Sequence, residues 1–199
     1  MQTSKTPKNY ILITPEPFEI EKCDLFSKPT TTKQNPALEG KEIVCVSVDV
    51  EGRDPTCDYI TEFGAVKMKG STITEVFSTN WKHDGTTTQT HKEYSDEMNG
   101  LFMSEMFNDF YKFCGNAIIC GHNLKGFDMK FIKREGETLG YTFDNKLTDT
   151  LELAREVKLS ALDYKISTLC EKLNISYEKI KEEWQYALAT ALLLINIYK

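Results

Sequence analysis

The sequence predicts an α/β domain, a mixed sheet covered by helices, on three observations. Residues 42–79 hold three strand-like runs in succession, "EIVCVSVDV", "YITEFGAVKMKG" and "STITEVFSTNW". One more apolar run, "NAIICGHN", is short and bounded by turn residues. From residue 104 onward the rest of the pattern has helical spacing, on both sides of that short run. Strands followed by helix, strand and helices suit a sheet whose faces must be covered.

The elements follow in order. Five of the six prolines (Pro7, Pro15, Pro17, Pro29, Pro36) fall in the first 36 residues, with the polar run "PTTTKQNP" and no period. Residues 1–40 therefore read as a tail or extended arm, disordered by composition, and residues 41–199 as one domain. Within the arm, "NYILITPEPFEI" is apolar enough to dock on the domain or on a protein partner. The first two strands are joined by a turn-forming stretch, "EGRDPTCD", and the third forms a meander with the second. "SEMFNDFYKFCG" places Met106, Phe110 and Phe113 on one helical face and stops at Gly115. A helix over "FDMKFIKREGETLG" follows the buried strand, then helices at "DTLELAREV", "ISTLCEKL" and the last eighteen residues.

Composition removes several function classes. No apolar run approaches a membrane span, and the start has neither a secretory apolar stretch nor an arginine before Arg53. An intracellular setting, cytoplasmic or nuclear, is the expectation. The six cysteines are scattered without a CxxC pair, which suits reduced thiols and argues against zinc. A net charge of −6 argues against a broad basic face for nucleic acid. It leaves room for a narrow site where metal ions meet one strand end.

The chemistry begins in "VSVDVEG". Side chains alternate along a strand, so Val44, Val46, Val48 and Val50 line one face, and Cys45, Ser47, Asp49 and Glu51 the other. Two carboxylates spaced by two residues sit roughly 6.5 Å apart and repel unless a cation or donors intervene. The plainer alternative is a strand end running into solvent. Asp128, at the start of a predicted helix after a glycine-containing turn, is a third candidate carboxylate. Taken singly, it is a first-turn acid favoured by the helix dipole. His122 and Asn123 taken singly are turn residues bonding nearby backbone.

Taken together, these segments resemble the DEDDh-type, DnaQ-like 3′–5′ exonucleases, which include the proofreading epsilon subunit of bacterial DNA polymerase III. "VDVEGRDPTCDYITEFGAV" is similar to the family's first motif, "IICGHNLKGFD" to its second, and "TDTLELAREV" and "KISTLCEKLNI" to the following helices. The resemblance covers residues 42–199 and implies a ribonuclease-H-like sheet and two-metal phosphodiester hydrolysis at nucleic-acid 3′ ends, of DNA or RNA. It implies Asp49, Glu51 and Asp128 as catalytic residues and ligands of Mg2+ or Mn2+. It implies substrate contacts at Gly52, Asn123 and Phe127, with Gly52 standing where the family usually has a threonine.

The third motif breaks the pattern. The family has a histidine five residues before an aspartate at the start of the last helix. Here "KIKEEWQYALATA" puts Lys181 and Tyr186 at those positions, and no His or Asp follows Asp163. Glu182 lies one turn before Tyr186 and could reach toward a metal there, though a solvated first-turn glutamate is the plainer reading. Two functions stay open. One is a metal-dependent exonuclease weakened by these losses. The other is a catalytically inactive exonuclease-fold module that binds nucleic acid or a protein partner.

Overall fold

The computed structural model describes residues 10–13, 35–79, 98–175, 177, 180 and 182–197. Among them the chain forms one sheet of six strands: β1 (Tyr10–Ile13), β2 (Glu42–Val50), β3 (Ile60–Lys69), β4 (Thr72–Thr79), β5 (Ile118–Gly121) and β6 (Leu147–Asp149). Its order is β1-β4-β3-β2-β5-β6. The β2–β3–β4 meander and β1 are antiparallel, whereas β5 and β6 run parallel to β2, so the sheet is mixed as expected.

Among the described residues five helices flank it: α1 (Met98–Cys114), α2 (Asp128–Thr138), α3 (Thr150–Glu156), α4 (Ile166–Lys172) and α5 (Glu183–Ile197). Strand alternation divides the core in two. Val44, Val46 and Val48 pack with Phe63, Phe77, Phe107, Phe110, Phe131 and Ile132 on the face of α1 and α2. Ile43, Cys45, Val66 and Met68 pack with α5 on the other. From Ala187 to Ile197 every α5 side chain is buried, which is why "ALATALLLINI" has no polar stripe.

Two pieces of the expected arm lie among the described residues. Tyr10–Ile13 pairs with Val76–Thr79 at the sheet edge. Asn35 donates from its amide side chain to the Ile195 carbonyl (3.0 Å), and Leu38, in a short 3₁₀ turn, is buried in the α5-side core. Asn35 and Leu38 thus pack on the domain although they precede the expected start at 41. β6, with three residues, is too short to show any period and is not among the elements expected from the sequence.

Candidate active site

The site is built at the end of β2. Opposite Ser47 on β3 stands Gly64, and opposite Asp49 stands Glu62. A Cβ on Gly64 would lie 2.0 Å from Trp184 N and 2.2 Å from the Glu183 carbonyl carbon. Glycine is therefore what lets the first turn of α5 rest directly on the sheet. Glu62 Oε1 then accepts from the Glu183 amide (2.8 Å), placing a carboxylate at the positive end of the helix. The Glu182 amide donates to Gln185 Oε1 (3.1 Å), half of a capping box that fixes where α5 begins.

Asp128 arrives from the opposite side. Pairing of β5 with β2 stops at Cys45, and further along β2 the Val48 amide donates to Asp128 Oδ1 (3.1 Å). The loop before it is held by Asp149, the N-cap of α3, which accepts from Leu151 N (2.9 Å) and Asn123 N (3.0 Å). His122 is fixed between Thr150 Oγ1 (3.0 Å) and the Tyr164 carbonyl (2.8 Å).

The electrostatics name the groups that share this space. Asp128 is 7% exposed, and burial pushes its carboxyl up to about 7, opposed by the Val48 amide and reinforced by Asp149. Glu183 is also pushed up to about 7, first by burial, with the Ser47 hydroxyl opposing and Glu62, Asp49 and Asp128 reinforcing. The Ser47 hydroxyl donates to Glu183 Oε2. Glu62 is raised by burial, with Glu182 and Asp49 adding to it. Glu183 thus feels the charges of both Asp49 and Asp128 at the end of β2.

Glu51 departs from the simple alternation. The β2–β3 register shifts between Asp49 and Val50, β2 ends, and the Glu51 amide donates to the Tyr59 carbonyl (3.1 Å). Its charge is felt by Glu135 of α2, whereas that of Asp49 is felt by Glu62 and Glu183. Among the described residues no group of three or more His, Cys, Asp or Glu side chains is arranged to hold a metal ion. What the acids near the end of β2 offer is the donor type, carboxylate oxygens, that Mg2+ and Mn2+ prefer.

The other expected residues have local roles in the fold. Beside Gly52 the Asp58 carboxylate occupies the space of a side chain, 2.1 Å from where a Cβ would stand. Asn123 takes a left-handed backbone (φ 63°), and its carbonyl accepts from Gly126 and Phe127. Phe127 is half-buried, and its ring lies 5.1 Å from that of Phe131. Tyr186 stacks edge-on against Tyr177, ring centroids 5.8 Å apart. Lys181 lies outside the described residues. Glu182 turns to Trp184, whose indole N–H donates to its Oε2 (2.6 Å), so the α5 carboxylate facing β2 belongs to Glu183. Glu183 is not among the residues expected from the sequence: both glutamates lie one turn before Tyr186, and only the contacts with Ser47 and Trp184 tell them apart.

Comparison with known proteins finds relatives by sequence and by fold. The sequence model of the RNase_T exonuclease family matches residues 44–179. The PolC-type DNA polymerase III of Caldanaerobacter subterraneus subsp. tengcongensis is 30% identical over 172 residues, 84% of this chain and 12% of that protein. That of Clostridium perfringens is 30% identical over 166 residues, 79% of this chain and 11% of that protein. The chain therefore spans about an eighth of the length of these relatives. Among solved structures, E. coli exonuclease I in complex with a dT13 oligonucleotide superposes with a TM-score of 0.58 at 14% identity, covering 78% of this chain and 40% of that one. The zinc-bound E. coli ExoI–ssDNA complex gives 0.61 at 14% identity, covering 80% and 40%. These structures share the fold, a ribonuclease-H-like mixed sheet flanked by helices.

Proposed function

The chain belongs to this exonuclease family, and from that premise we propose that it removes nucleotides from nucleic-acid 3′ ends by divalent-metal-assisted hydrolysis. The observation that carries the proposal is the convergence of Asp128 and Glu183 on the Ser47–Asp49 end of β2, each raised by burial and by acidic neighbours. Partly enclosed like charges persist only where protons or a cation offset them.

In this reading Asp49, Glu51 and Asp128 hold Mg2+ or Mn2+. When bound, such ions activate a water and stabilise the departing 3′ oxygen. The chain's own contribution is placement. Asp128 is tied to the β2 backbone through Val48, and Asp49 stands exposed at the open end of the strand. Gly52, Asn123 and Phe127 border the place of the terminal nucleotide. With lysine at 181 there is no imidazole to accept the proton of the attacking water. That loss typically slows such a step 10²–10⁴-fold. The names of the similar proteins, a DNA polymerase III and an exonuclease bound to single-stranded DNA, make DNA the first substrate to try.

A second reading, a module that binds nucleic acid or a protein partner without cutting, is favoured by Tyr186, an aromatic packing residue in place of an acid. A single assay separates them. Single-stranded DNA and RNA, labelled at the 5′ end, are incubated with the protein and Mn2+. Stepwise shortening by wild type and none by Asp49→Asn is the expected result. Intact substrate retained by the folded protein would favour the binding module.

A further inference from the structure

We propose that Glu183 supplies the fourth carboxylate of the site, moved one helical turn toward the start of α5 from the position that Tyr186 occupies. The inference rests on the exonuclease reading above and names a ligand that the sequence motifs do not contain.

The geometry of α5 makes the exchange workable. Residues three apart share a helical face, separated by about 4.5 Å of rise. Side chains lean toward the helix N-terminus, so an acid at 186 would deliver its carboxylate over the turn that Glu183 opens. Three independent contacts fix Glu183 beside the other acids. Its backbone is seated on Gly64, where even a Cβ would not fit. Its amide is bound by Glu62, the cross-strand partner of Asp49. Its carboxylate takes the hydroxyl of Ser47, two residues before Asp49 on β2. Tyr186 meanwhile packs against Tyr177. Glu182 is committed to the Trp184 indole and the cap. One first-turn acid of α5 therefore faces β2.

A purely structural Glu183 would be a helix-start acid bonded to a serine, and its removal would alter stability alone. Mn2+ binding distinguishes the two roles without reference to turnover. Titration calorimetry on the 199-residue chain should show Mn2+ binding that Asp49→Asn abolishes. Glu183→Gln keeps the size and an acceptor for Ser47, and should weaken Mn2+ binding at least ~10-fold, the range seen when groups supporting a metal are removed. Tyr186→Asp in the otherwise unchanged chain should leave Mn2+ affinity as it was, because the position it would fill is already served. Added to Glu183→Gln, it should restore binding.

Wild-type Mn2+ affinity in folded Glu183→Gln, with binding still lost in Asp49→Asn, would overturn the proposal and leave the exonuclease reading intact. A ~10-fold gain in the Tyr186→Asp single variant would overturn it as well, by showing that the fourth place was vacant. Absence of Mn2+ binding by the wild type would remove both the proposal and the metal-dependent reading beneath it.

Discussion

Gly64 and Asp128 show how single residues set the site. At Gly64 the obstruction to any side chain is the backbone of α5, which cannot rotate aside. Gly64→Ala should therefore destabilise the domain by about 3 kcal/mol, the upper range for overpacking, measured by denaturant unfolding. A loss under about 1 kcal/mol would mean that α5 sits less tightly on β3 than described. At Asp128, burial holds the carboxyl up to about 7 in the folded chain, above its unfolded value near 3.8. Between those values the folded state binds the extra proton, so its contribution to stability is present at low pH and lost as pH rises through 7. In metal-free buffer Asp128→Asn, which can still accept from Val48, should gain stability relative to wild type from pH 5 to pH 8. A difference in melting temperature that stays flat or falls would contradict the assigned burial. Asp49 and Asp128 were legible in the sequence because a strand end and a helix start are local patterns. Glu183 was not, since its meaning depends on Ser47 and Gly64, both more than a hundred residues away in the chain.

Among the elements, the meander of β2 to β4 and the helices α2 to α5 could be read from periodicity and turn residues. β6 could not, having three residues. The pairing of Tyr10–Ile13 with β4 could not either, because those residues sit among prolines and the pairing is nonlocal. The bulge between Asp49 and Val50 was equally hidden, since register depends on the partner strand. The start of α5 is the element on which activity turns. In the proposed arrangement its carboxylate comes one turn early, from Glu183, and lysine at 181 stands where a proton acceptor is expected. Lys181→His should raise the Mn2+-dependent exonuclease rate ~10²-fold, whereas Tyr186→Asp alone should add little. Single-turnover rates would show it. A large gain from Tyr186→Asp and none from Lys181→His would reverse the assignment.

At the scale of the molecule, Asn35 and Leu38 tie the chain ahead of β2 to α5 and the core beside it. A chain beginning at 35 should melt close to the full chain, and one beginning at 41 clearly lower. Burial of Leu38 is worth about 2 kcal/mol and each lost hydrogen bond about 1 kcal/mol. Removing residues 1–34 also removes β1, so the exposed β4 edge should promote self-association, visible by sedimentation. Equal melting of the two truncated chains would mean that residues 35–40 are peripheral. The proposed chemistry lies at one place in the fold, the end of β2, on which Asp128 of α2 and Glu183 of α5 both converge. Crystals soaked in Mn2+ and measured at the manganese edge test it most directly. An anomalous peak bounded by Asp49, Asp128 and Glu183 is the expected result; a peak elsewhere, or none at saturating Mn2+, would contradict the proposed site.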